Sequence, residues 1–182
     1  MFLPLIRGRR SIRRFAPRPV EPAKIARLAE AALRAPSSRG LNPWEFVFVD
    51  DPARLARLSQ VKPHGAAFLA KAPLGVVVCA DPGRCDVWVE DCAIAVTYLQ
   101  LAAQAEGLRC CWIQIRLRQH AGGAPAAQHV REVLGLPERL EVEAFVAIGH
   151  PAEELPPHPA ESLLRERLHR NAYGTPLEID FE

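Results

Sequence analysis

From Val87 to Ala105 the chain carries its longest uninterrupted helical pattern, and that helix is apolar nearly all the way round. Ile94, Val96, Leu99, Leu101 and Ala102 point to different sides of it, and Gly107 is its stop. A helix without a polar face has to be covered on every side. In a chain of 182 residues that predicts a helix in the middle of the fold, packed on both sides, with a partner subunit supplying part of the cover.

Around it the pattern alternates irregularly. A helix opens at Val20-Glu21-Pro22 and runs through Ile25, Leu28, Ala29, Ala32 and Leu33 toward Pro36. Pro36 to Pro43 is a loop by composition, and Trp44 to Val49 alternates into a strand closed by Asp50-Asp51-Pro52. A short helix at Ala53 to Leu58 leads through His64-Gly65 to Leu74–Ala80, a nearly continuous β-branched run that predicts a strand buried on both faces. Beyond the central helix come a strand at Cys110 to Ile115, a helix at Ala124 to Leu134 stopped by Gly135 and Pro137, and a core strand at Val142 to Ile148. Residues 152 to 182 are rich in proline and charge and predict an extended arm with one short helix near 161 to 168. Without regular strand–helix alternation, α+β fits better than a doubly wound sheet. The length suits one domain spanning 1 to 182, and no repeats occur.

Several function classes fall away. A net charge of +2 is no field for recruiting nucleic acid, and no basic residues are interleaved with exposed aromatics. The longest apolar run, Ile94 to Ala103, includes Thr97 and Gln100 and is too short to span a bilayer. The five cysteines form no CxxC pair, and the six histidines show no ligand spacing, so no metal is assigned. Reduced thiols and the absence of a targeting segment point to a cytoplasmic protein. There is no GxGxxG, no GxxxxGK[ST] and no GxSxG.

The densest chemistry is Arg9-Arg10-Ser11-Ile12-Arg13-Arg14-Phe15, four guanidiniums and a hydroxyl in seven residues. Guanidinium forks match phosphate oxygens two at a time, so the segment is an anion site in type, although such runs also occur as plain solvated segments. Only Lys24, Lys62 and Lys71 among 23 basic residues are lysines, a bias that lowers the weight of any single arginine. Spacing has to decide.

Five motifs recur in order: Arg9-Arg10-Ser11-Ile12-Arg13, Ala35-Pro36-Ser37-Ser38 leading to Asn42-Pro43-Trp44, Glu90-Asp91, Gly107 to Ile113, and Ala147 to Pro151. On these the chain resembles the FMN-dependent nitroreductase family over roughly residues 5 to 175. The resemblance implies a nitroreductase-like α+β fold, a central mixed or antiparallel sheet flanked by helices, with the long helix at the interface of a homodimer. Two FMN sites would lie between the subunits, and the arm at 152 to 182 would wrap the partner.

The resemblance also distributes roles. Arg9 and Ser11 would hold the FMN 5′-phosphate, which carries about two negative charges. Arg10 would lie along the ribityl chain, and Arg13 beside N1 and the C2 carbonyl, where charge gathers on reduction. Pro36, Ser37, Ser38 and Arg39 would come from the second subunit, with Asn42 standing where the family often has glutamine. Trp112, Ile113 and Gln114 would line the ring near N5, the Gln114 main-chain N–H facing N5 itself. Gly149 would lie near the phosphate end, and Arg167 and Arg170 would supply a distal phosphate contact. No side chain is assigned as acid or base, because the cofactor carries the chemistry. NADH or NADPH would deliver a hydride, and a nitroaromatic, quinone or enone would take it in a ping-pong cycle.

The pattern departs from the family at Pro52 to Ala72, where no asparagine or lysine matches the flavin contacts of some members. Two alternatives remain open on the sequence. One is a specialised flavoprotein of the same fold that dehalogenates reductively or fragments flavin. The other is a non-catalytic binder of a phosphate or RNA.

Overall fold

The computed structural model describes residues 2–179; the last three residues of the expected arm, 180 to 182, lie outside the described residues. Four strands form one antiparallel sheet: β1 (Trp44–Val49), β2 (Leu74–Ala80), β3 (Arg109–Gln114) and β4 (Glu141–Gly149), in the order β1-β2-β4-β3. Antiparallel pairing resolves the expected mixed-or-antiparallel sheet, since among the described residues the only parallel contact is a single bridge between Ser11 and Cys110. β2 and β4 are interior strands, and every residue of β2 is buried, as its β-branched run requires.

Helices cover both faces. On one lie α2 (Pro22–Leu33) and α4 (Trp88–Ala105), packed with Val76, Val78, Val146 and Ile148. On the other lie α3 (Pro52–Leu58) and α5 (Ala126–Leu134), packed with Val77, Ile113 and Phe145. A short helix α1 (Phe2–Arg7), not expected from the sequence, sits against α4. α2 begins with Pro22 at its first position, where the missing N–H has no intrahelical partner to lose. Arg27 grips Glu106 with two bonds of 2.6 and 2.7 Å, fastening α2 to the end of α4. Gly107, at φ +72°, turns the chain out of α4 in a conformation that penalises any Cβ.

The central helix is half covered. Cys92, Ala95, Val96, Leu99 and Ala103 are buried on the sheet, whereas Ile94 and Tyr98 on the outer side each stay 38% exposed. Beside them Leu101, Ala102 and Ala105 line an open apolar groove of about 400 Å³ with Phe2 and Leu5 of α1.

The arm corrects one expectation. Instead of a helix near 161 to 168 it holds two isolated single turns, Ala160–Ser162 and Arg165–Arg167. Nearly every described arm residue is exposed, so no core face holds a longer helix in place.

Candidate functional site at the free edge of β3

β3 ends the sheet, and its outer edge is where the expected site residues gather. The segment after α1 runs alongside it: Ile12 N donates to Cys110 O at 3.1 Å. Main-chain groups in an antiparallel strand alternate between the two sides. With Cys110 facing outward, Trp112 and Gln114 face outward too, while Ile115 turns inward and donates to Glu143 O at 3.1 Å. The outward oxygen of Gln114 is taken by Lys62, whose Nζ lies 3.0 Å away. The Gln114 N–H therefore points out of the sheet on the same side.

Cations converge beside this edge. Burial pushes the Cys111 thiol up, while the positive charges of Arg13, Lys62 and Arg9 and a hydrogen bond with Ser11 pull it down. Burial lowers Lys62, and the neighbouring Arg118 charge adds to that. Among the described residues no carboxylate forms an ion pair with the side chain of Arg9, Arg13 or Lys62. The Arg13 guanidinium stands 5.9 Å over the Phe68 ring, and both line an open cavity of about 550 Å³. The backbone behind it is held by Glu153 Oε1, which accepts from Arg13 N at 2.9 Å and Arg14 N at 3.1 Å.

Lys62 comes from the Pro52–Ala72 stretch, where the sequence offered no match to the family's flavin contacts, and the fold sets it at this edge. It was missed because it lies in an irregular stretch, where no period reports which way a side chain points. Its rarity was the available signal: a lysine in a chain that otherwise uses arginine.

The Pro36–Asn42 loop forms a second cluster at the start of α4. Ser37 Oγ donates to Asn42 Oδ1 at 2.6 Å and accepts from Asn42 N at 3.0 Å. Arg39 and Asn42 take positive φ values of 55° and 46°, so the loop is held in a costly shape. Asp91 anchors it. Only 2% exposed, it accepts from Ser38 N at 2.8 Å and from the Cys85 thiol at 3.3 Å. Glu90 is the solvated helix start that acidic residues at this position suggest, but Asp91 is not. Arg39 pairs with Asp86, so its guanidinium is already engaged within its own chain.

Other expected residues are placed differently. Arg10 reaches the arm and donates to Pro156 O. Gly149 is a packing residue: a Cβ there would lie 2.6 Å from Pro73 Cγ and Cδ, so the close approach of a proline ring explains the glycine. Arg167 and Arg170 lie on the exposed arm, and among the described residues their side chains form no ion pair or hydrogen bond with the Arg9–Arg13 segment. Trp112 and Gln114 turn their side chains toward α4, with Trp112 Nε1 donating to Gln114 Oε1 at 2.9 Å, while Ile113 is buried on the opposite face.

The comparisons with known proteins bear on the family and the fold. A model described as "Nitroreductase family" matches residues 6–73 and 56–150. A curated relative from Archaeoglobus fulgidus, named as a putative NADH dehydrogenase/NAD(P)H nitroreductase, is 33% identical over 94% of this chain and 98% of its own length. The structure of an FMN-dependent nitroreductase from Clostridium difficile superposes with a TM-score of 0.92 at 40% identity, covering 94% of this chain and 99% of that one. A putative NADH dehydrogenase/NAD(P)H nitroreductase from Parabacteroides distasonis gives 0.86 at 31% identity, covering 94% and 98%. With the family model matching across residues 6–150, and relatives of 33–40% identity covering 94% of this chain, the chain belongs to the nitroreductase family.

Proposed function

We propose that this protein is an FMN-dependent oxidoreductase that draws hydride from NADH or NADPH and reduces a nitroaromatic, quinone or enone-type acceptor. The observation that carries the reading is the free edge of β3, where an outward Gln114 N–H lies between Lys62 and the Arg9–Arg13 segment. A flat heterocycle with a phosphate tail fits that donor set: hydrogen-bond donors along one edge, and cations with no carboxylate partner beside it. The FMN-dependent relative at 40% identity supports the same cofactor.

When bound, FMN supplies the redox chemistry, taking a hydride at N5 and passing it on in a ping-pong cycle. Arg9 and Ser11 would hold its 5′-phosphate, and Arg10, which already donates to Pro156 O of the arm, would turn only its remaining N–H groups to the ribityl chain. Arg13 and Lys62 set cations where negative charge develops on reduction, which favours the reduced state. The Gln114 N–H is the donor available to N5. No residue of the chain has to act as acid or base.

The site closes with a second copy. Ile94 and Tyr98 on α4, Phe2 on α1, and Leu163, Leu164 and Tyr173 on the arm are large apolar side chains left exposed by this chain alone. A homodimer buries them and brings Pro36, Ser37, Ser38, Arg39 and Asn42 of one subunit toward the other's flavin. Arg167 and Arg170 on the arm reach the partner's phosphate in the same way. The whole chain, 1 to 182, acts as one domain with that arm.

The test is purification followed by absorbance and light scattering. A yellow dimer whose flavin is bleached anaerobically by NADH or NADPH and restored by an acceptor supports the proposal. A colourless protein that leaves added FMN fluorescence unchanged, or one that shifts RNA instead, sinks it. Flavin bound but consumed in oxygen, with poor turnover of every acceptor, would move the reading to the flavin-fragmenting alternative.

A further inference from the structure

Glu143 is a charged side chain only 4% exposed in the middle of β4. It occupies the one irregularity in the interior ladder: Val78 pairs with Ala144 and Cys79 with Val142, so Glu143 is passed over. For that reason Val142 and Phe145, three residues apart, join the same core. The bulge turns Glu143 into a hub for the end of β3. Its main-chain oxygen accepts from Ile115 N at 3.1 Å and Arg116 N at 3.0 Å, and its Oε1 accepts from Gln114 Nε2 at 3.1 Å. Among the described residues its Oε2 has no hydrogen-bond partner.

The Gln114 amide is thereby fixed from both ends. An indole N–H can only donate, so Trp112 Nε1, at 2.9 Å, selects the amide oxygen. The NH₂ end meets acceptors only: Glu143 Oε1, Glu143 O at 3.4 Å and Arg116 O at 3.3 Å. A leucine at 143 would fill the volume without desolvating a carboxylate and without an orphaned oxygen. The carboxylate stabilises an orientation, not the core.

We infer that Glu143 is a positioning residue: through the Gln114 side chain it fixes the direction of the Gln114 main-chain N–H at the free edge of β3. The inference rests on the flavin reading above, in which that N–H faces the reacting edge of the cofactor. Small displacements at such a point cost rate far more than affinity, since an ångström of misplacement can cost on the order of 100-fold.

The experiment compares wild-type holoenzyme with Glu143→Leu, Glu143→Gln, Gln114→Leu and the Glu143→Leu/Gln114→Leu double variant. It reads FMN dissociation, anaerobic flavin reduction by NADH or NADPH, and the flavin midpoint potential. Glu143→Leu slows flavin reduction by roughly tenfold or more and shifts the potential, while FMN affinity stays within about threefold. Glu143→Gln, which keeps an acceptor oxygen, recovers most of the rate. The double variant is no slower than the slower single one, because both act on one network. Should Glu143→Leu fail to fold, Gln114→Leu carries the same expectation against Glu143→Gln. A wild-type rate and potential in the leucine variants, or a loss wholly explained by FMN release, overturns the inference. A wild type that takes up no FMN overturns the flavin reading and this inference with it. A yellow, active wild type beside indifferent variants overturns this inference alone.

Discussion

Gly149→Ala separates two explanations of one glycine. The sequence motif suggests a residue beside the cofactor phosphate; the structure shows one pressed against Pro73. The added Cβ would sit 2.6 Å from both Pro73 Cγ and Cδ, and 3.1 Å from Phe15 Cδ1. Ordinary carbon contacts begin near 3.5 Å, so the chains must part by about 1 Å. A proline ring cannot swing aside, and the neighbouring pair Leu74–Ile148 holds the two strands in register. Overpacking of this kind costs about 1–3 kcal/mol. Replacing glycine within a strand returns roughly 0.5–1 kcal/mol of that, leaving a net loss of about 0.5–2 kcal/mol. At this chain length each kcal/mol moves the midpoint by about 2–4 °C, so calorimetry should find a fall of about 1–8 °C. Gly75→Ala is the internal comparison: its Cβ would meet Leu55 Cδ2 at 2.9 Å and Leu69 Cδ1 at 3.3 Å, the movable ends of two side chains. It should lose about half as much or less, since flexible neighbours relax where a ring cannot. FMN affinity should be unchanged in both. An unchanged Tm together with lost FMN in Gly149→Ala would refute the packing account and return Gly149 to the phosphate.

Asp91→Ala leaves Ser38 N–H and the Cys85 thiol without their acceptor, a loss of about 1.5–3 kcal/mol; hydrogen exchange should show the Ser38 amide deprotected, and unchanged exchange there would dismiss the anchor. Lys62→Met removes the cation bonded to Gln114 O and should weaken FMN binding by roughly 10- to 100-fold, read by fluorescence titration. Arg13→Ala should slow flavin reduction more than it weakens FMN retention, and Arg9→Ala the reverse; equal effects on both would reject that division. Main-chain hydrogen bonding and His150 hold the Glu21 carboxyl down at about 2. Its contribution to stability is therefore complete above the ordinary carboxylate value of about 4.3 and is lost as pH falls toward 2. Glu21→Gln should flatten the acid limb of a Tm–pH curve in that window, and a parallel curve would contradict it.

Much of the fold was legible because periodicity reports burial. The β-branched run at Leu74–Ala80 became the fully buried interior strand, and the helix at Pro22–Leu33 starts at its proline. The arm was not legible in the same way: charge and leucine near 161 to 168 resemble a helix, yet neither of its two single turns has a buried residue. Short-range signals also leave Asp91 undecided, because a carboxylate early in a helix looks alike whether it faces water or a neighbouring loop. Lys62 and Glu143 could not be placed from the sequence for a related reason, each defined by a partner more than 25 residues away along the chain.

What the sequence determined alone was the set of parts: an α+β chain, a central helix with too much apolar surface for its own core, and an arginine–serine segment built for an anion. Those properties follow from side-chain chemistry and from spacing along one element. Tertiary structure decided which parts share a site. Antiparallel pairing left β3 at the edge, strand parity turned Gln114 outward, and a bulge at Glu143 clamped it there. Parity and register are properties of two strands together, and no single stretch of sequence contains them.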